Sequence, residues 1–134
     1  MPDLNIRIGS IRHDTGVYIG RAGRGRPASP LANPFTVRQY GREGAIERYR
    51  AWLWGCIQHG NLDVMAELNR IRQLAQTPEG VTLVCFCRAV DEAGPQCHGD
   101  VIAAAVQWLD QKIAEDSLVQ MAVDELGAVP VRFN

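Results

Sequence analysis

Two stretches of the chain combine residue types able to do chemistry. The first is Val81-Thr-Leu-Val-Cys-Phe-Cys87 with Cys97-His-Gly-Asp100 a short way beyond it. Cys85, Cys87, Cys97 and His98 are zinc-ligand types, and residues two apart on a strand share a face, so the C-x-C pair suits one ion. Adjacent Cys97 and His98 are poor joint ligands, and the usual C-x2-4-C knuckle spacing is absent. Zinc is therefore the alternative; the main expectation is no cofactor, with Cys85 packed in a sheet and Cys87 and Cys97 lining a pocket. The same residues admit covalent chemistry: Cys97 or Cys87 as nucleophile with His98 as base, the thiol acidified by a helix start. His98 and Asp100 also fit general acid and base roles. The plainer account makes His98 a hydrogen-bonded helix-start residue and Asp100 a first-turn cap.

The second stretch, Gly20-Arg-Ala-Gly-Arg-Gly-Arg-Pro-Ala-Ser-Pro-Leu-Ala-Asn-Pro-Phe35, is too rich in glycine and proline for a regular helix. Glycines let backbone amides approach an anion, and Arg21, Arg24 and Arg26 suit phosphate or carboxylate oxygens. The stretch from Arg21 to Arg26 is expected to be mobile and that from Ser29 to Phe35 packed, because Leu31, Pro34 and Phe35 are worth burying and Asn33 before proline is held extended.

Elements must bring these stretches together. Val81 to Phe86 is a continuous apolar, β-branched run of the kind found inside a parallel sheet. From Cys97 to Glu115 apolar residues recur at helical spacing. Strand, turn and helix in that order place Cys87, Cys97, His98 and Asp100 at the carboxyl edge of a sheet, where open α/β folds hold ligands. Before this unit, Asn5 to Ile11 and Val17 to Gly20 read as short strands, paired as a hairpin around Asp14-Thr-Gly16. A helix from Arg42 carries Ala45, Ile46, Tyr49, Trp52, Leu53 and Cys56 or Ile57 on its apolar side. A second helix runs from Asn61, through Leu62, Met65, Leu68 and Ile71, to the break at Thr77-Pro-Glu-Gly80. A further helical segment around Leu118 to Leu126 and an edge strand at Ala128 to Phe133 close the pattern. Trp52 and Trp54 diverge around their helix, so one of them is expected to face outward.

Composition bounds the class. The chain has 134 residues, 46% hydrophobic and 22% charged, enough for one globular domain with a single core. A formal net charge of −1 argues against a nucleic-acid partner. Lys112 is the sole lysine, so almost all positive charge is arginine. No apolar run is long enough to span a bilayer, and Met-Pro-Asp-Leu-Asn is no signal peptide, so a cytoplasmic setting is expected. Cysteines there are thiols, ligands or core residues before disulfides. Cys56, inside a helix, reads as a small hydrophobe.

Tyr18-Ile-Gly-Arg21, Ser29-Pro-Leu-Ala-Asn-Pro-Phe35, Tyr49-Arg-Ala-Trp-Leu53, Cys85-Phe-Cys87 and Cys97-His-Gly-Asp100, in that order, resemble a family of short bacterial and bacteriophage proteins of unknown function. The resemblance covers about Val17 to Trp108. Ala32 departs from it, since the family usually carries glycine there. The resemblance implies a phage or mobile-element setting and strengthens the choice of site without naming a reaction.

The expectation is a single Rossmann-like α/β domain, a small mostly parallel sheet flanked by helices. Its ligand would be a nucleotide or ADP-ribose-like phosphorylated molecule held by Gly20, Arg21, Arg24, Ser29, Asn33, Cys87, Arg88, His98, Gly99 and Asp100. Sequestering or sensing that ligand is favoured. An enzyme cleaving or transferring a nucleoside or sugar-phosphate group through His98, Asp100 and Cys97 is the alternative, and a structural or protein-interaction module, with an outward tryptophan at a homodimer interface, the second.

Overall fold

The computed structural model describes residues 4–12, 14–23, 25–85 and 98–126, the stretch 117–126 as backbone. Its elements are β1 (Ile6–Ser10), β2 (Val17–Tyr18), α1 (Val37–His59), α2 (Leu62–Ala75), β3 (Val81–Cys85) and α3 (His98–Leu126). The sheet has the order β1-β3-β2 and both of its ladders are parallel. β3 is central and almost wholly buried, as its unbroken apolar run requires. The molecule is thus an α/β domain with a small parallel sheet.

The expected hairpin of the first two strands does not form. β1 pairs with β3 from Ile6 opposite Val81 to Ser10 opposite Cys85, while β2 pairs with the other edge of β3, Val17 opposite Leu83. A buried central strand must satisfy both of its backbone edges, and these two strands supply one each. The turn signal at Asp14 is real: its amide donates to the Ser10 carbonyl (2.7 Å) and its carboxylate accepts from the Ser10 amide (2.9 Å). The turn leads the chain across β3 instead of back along β1. Residues 11–16 are a short link for a parallel crossover, and the chain therefore runs close against β3. A Cβ on Gly16 would sit 2.1 Å from the Thr82 carbonyl oxygen.

α1 begins earlier than the apolar spacing predicts. Thr36 caps it by accepting from the Gln39 amide, and Gly41 at φ 72° kinks it, so a single turn precedes the main body from Arg42. Gly60 (φ 69°) ends that body in the left-handed conformation and Asn61 caps α2 through the Val64 amide. Ala45, Ile46, Tyr49 and Leu53 of α1 and Val64, Leu68, Ile71 and Ala75 of α2 are buried. The core joins them to Val17, Ile19, Leu31, Val81, Leu83 and Cys85, and to Val101, Ile102, Val106 and Leu109 of α3. α3 is one continuous helix, not the two segments expected, because no glycine or proline interrupts it between Glu115 and Leu118. Asp110 accepts from Arg72 (3.3 Å) and Gln76 (3.0 Å) at the end of α2 that leads into β3. The first turns of α3 therefore run the height of the sheet, from its carboxyl edge to its amino edge. The edge strand expected at 128–133 lies outside the described residues.

Candidate functional site

At the carboxyl edge of the sheet the two motif-bearing stretches are tied together. Past β2 the Ile19 amide donates to the Val84 carbonyl (2.9 Å), and the Ile19 carbonyl lies 2.7 Å from His98 Nε2. A carbonyl only accepts, so Nε2 carries the proton in this contact. The ring is 5% exposed and stands edge-on to Tyr49, with centroids 5.0 Å apart. Tyr49 donates its hydroxyl to the Leu31 carbonyl (2.7 Å). Within the loop, the Ser29 amide donates to the Gly20 carbonyl (2.9 Å) and Ser29 Oγ accepts from the Leu31 amide (3.1 Å). Asn33 Oδ1 accepts from the Phe35 amide (2.8 Å). An unbroken series of polar and ring contacts so connects the loop, α1 and the first residue of α3.

Gly20, Ser29 and His98 are thus parts of one cluster, with Gly99 buried next to His98 in the chain and Asn33 buried two residues beyond Leu31. Gly20 is buried, and a Cβ there would meet the Tyr18 hydroxyl at 2.5 Å. Leu31 and Asn33 are buried and Phe35 half-buried, as expected of that half of the loop, whereas Pro34 is exposed. Residues 21–23, 25 and 26 are exposed; the Gly23 and Arg26 amides donate to each other's carbonyls (3.0 and 2.9 Å), and Gly25 takes φ 78°. The Arg26 guanidinium lies 5.4 Å from the Tyr18 ring centre, while Tyr18 donates its hydroxyl to the Arg21 carbonyl. The Arg21 side chain is exposed. Arg24, Cys87, Arg88 and Cys97 lie outside the described residues.

Of the four expected zinc-ligand types, Cys85 and His98 are described. Cys85 is buried in β3, its carbonyl accepting from the Ile11 amide (3.0 Å). The His98 Nε2 faces the Ile19 carbonyl. Cys56 is half-buried in α1, and burial pushes its thiol up from the ordinary cysteine value. Ser10 and Asp14 also stand at the carboxyl edge and were not singled out from the sequence. The Asp14 carboxylate is pressed so close to β1 that a Cβ on Gly9 would lie 2.6 Å from it. Gly9, one residue before the end of β1, with Asp14 in the turn beyond it, was the available signal.

Asp100 stands apart from this cluster. It is exposed and borders an open groove of about 700 Å³ between α1 and α3. Leu53, Trp54 and Ile57 form one wall and Val101, Ala104 and Trp108 the other. Trp54 and Trp108 meet edge to face, centroids 5.0 Å apart, and are 43% and 39% exposed. Trp54 is the outward-facing member of the Trp52–Trp54 pair.

A family model described as Domain of unknown function (DUF4326) matches residues 5–108. No curated protein and no solved structure matches the chain. Among the described residues no helix is long and apolar enough to cross a membrane.

Proposed function

We propose that this chain, which belongs to the DUF4326 family, binds a phosphorylated nucleoside or ADP-ribose-like molecule between the Gly20–Asn33 loop and the start of α3. The observation that carries this reading is the Ile19 carbonyl held by His98 Nε2 at 2.7 Å. That contact seats the arginine- and glycine-bearing loop directly beside the amino end of a long helix, on the carboxyl edge of a parallel sheet. The first turn of a helix is a positive dipole end, and Arg21 and Arg24 supply the countercharge that a phosphate needs. Asp100, in that first turn, suits a ribose hydroxyl or a base amino group.

Binding without turnover is favoured over catalysis, because the ring that would serve as general base already spends one nitrogen on a scaffold contact. A role in sequestering or sensing a host nucleotide signal, in a bacterial or phage setting, follows from that preference. A zinc ion on Cys85, Cys87, Cys97 and His98 is not needed by it.

Isothermal titration with AMP and with ADP-ribose, followed by chromatography of the recovered ligand, tests the reading. A charge-assisted hydrogen bond is worth about 1.5–3 kcal/mol, so Arg21→Ala is expected to weaken binding by about tenfold or more. Recovered ligand should be intact. Absence of binding by both compounds at millimolar concentration sinks the proposal, and a cleaved ligand replaces it with the enzymatic one.

A further inference from the structure

Among the described residues the buried polar side chains are Ser10, Asn33 and His98. His98 meets the Ile19 carbonyl, and Ser10 Oγ accepts from the Arg12 amide (3.3 Å) while its hydroxyl proton is free to turn. Asn33 differs, because its donors are fixed in direction and unused. Its Oδ1 accepts from the Phe35 amide (2.8 Å), whereas Nδ2 carries two hydrogens that have no acceptor among the described residues. Buried donors are nearly always paired, since giving up water without gaining a partner is costly. A side chain 9% exposed with both amide hydrogens unspent points to an acceptor beyond these residues.

The side chain is also held in place. The Phe35 N–H needs an acceptor, so the amide oxygen belongs on its side and the nitrogen on the other. A bond from asparagine to the amide two residues on closes an Asx turn, here over Pro34, which brings no N–H of its own. Both flanks are pinned. The Leu31 carbonyl is held by the Tyr49 hydroxyl (2.7 Å), and Thr36 caps α1 by accepting from the Gln39 amide (3.2 Å). A serine would close the same kind of turn, so Nδ2 is the part of Asn33 that the turn does not explain.

We propose that Asn33 Nδ2 donates to an acceptor atom of the ligand and so selects what binds. The inference rests on the reading that the ligand lies between the Gly20–Asn33 loop and the start of α3, and it adds the polarity that the ligand must present there. With its oxygen held by the Phe35 amide, the side chain offers donors. It suits a phosphate oxygen or a base acceptor such as O6 of a 6-oxo purine, and it rejects an amino group such as N6 of adenine, which is itself a donor. Arg21 is exposed and supplies attraction; Asn33 is buried and supplies direction.

Heteronuclear NMR of the Asn33 side-chain amide in the full wild-type chain, titrated with AMP, IMP and ribose 5-phosphate, is the test. At saturation the amide protons should shift and their exchange with water should slow. A response to ribose 5-phosphate puts the acceptor on the sugar-phosphate; a response to AMP or IMP without it puts the acceptor on the base. Asn33→Asp keeps an acceptor for the Phe35 amide and loses the donors, so it should bind the responding probe about tenfold or more weakly with an unchanged circular dichroism spectrum. A probe that moves other resonances but not the Asn33 amide overturns this inference alone, as does Asn33→Asp binding with wild-type affinity. Amide protons as slow to exchange in the free protein as in the bound one have their acceptor inside the fold, which overturns it too. If none of the three probes binds at millimolar concentration, the proposed function falls and this inference with it.

Discussion

Tyr49 and His98 show how a few side chains hold the candidate site. Both are buried, and each ties a carbonyl of the loop region to a helix: Leu31 through the tyrosine hydroxyl, Ile19 through the imidazole. A buried acceptor deprived of its donor costs about 1–3 kcal/mol. Tyr49→Phe keeps the ring against His98 and removes only the hydroxyl, so we expect it to lower stability by about 1–2 kcal/mol in urea denaturation. Because the loop would loosen, ligand affinity should fall with it; unchanged stability would mean that water takes the hydroxyl's place. At this scale the sequence was a fair guide to residue type and a poor guide to role. His98 reads equally well as a base, a ligand or a helix-start residue, since all three want an imidazole near a helix start. The partner that distinguishes them is Ile19, far away along the chain.

Elements show the converse. The periodic helices were legible because each turn repeats the same demand for an apolar face: Ala45, Ile46, Tyr49 and Leu53 are buried as their spacing implies, and Asn61 and Gly60 cap where expected. The pairing of β1 and β2 was not. Their short length and the turn between them fit a hairpin as well as two flanking strands, and only the need of β3 for two partners decides. The cost of that solution falls on the crossover, where Gly16 passes the Thr82 carbonyl. A Cβ forced to within 2.1 Å of a backbone oxygen displaces one strand or the other. Overpacking of this kind costs about 1–3 kcal/mol, so Gly16→Ala should lower the thermal midpoint by several degrees in a scanning calorimeter. Retention of the wild-type midpoint would show that the crossover shifts freely. The kink at Gly41 and the turn of α1 before it escaped the sequence reading because glycine there breaks the apolar spacing.

For the whole molecule, the proposed ligand site and the Trp54–Trp108 groove meet at α3's first turns. His98 and Gly99 face the loop cluster, whereas Val101, Ala104 and Trp108 line the groove. Asp100 belongs to both, as a first-turn residue of the proposed ligand site and as a residue of the groove's border, so any coupling between the two passes through it.

The amino-acid sequence alone determined that this is an α/β domain with a buried central strand, which residues its helices bury, and that a helix starts at His98-Gly-Asp100. Those properties follow from local periodicity, from capping residues and from the solubility of each side chain, all of which act over a few residues. Tertiary structure alone decided that β1 and β2 flank β3 in parallel, that Ile19 holds His98, and that Trp54 and Trp108 share a groove. Each of these joins residues distant in sequence, and their pairing depends on which buried backbone edges and apolar faces remain to be covered once the local elements have formed.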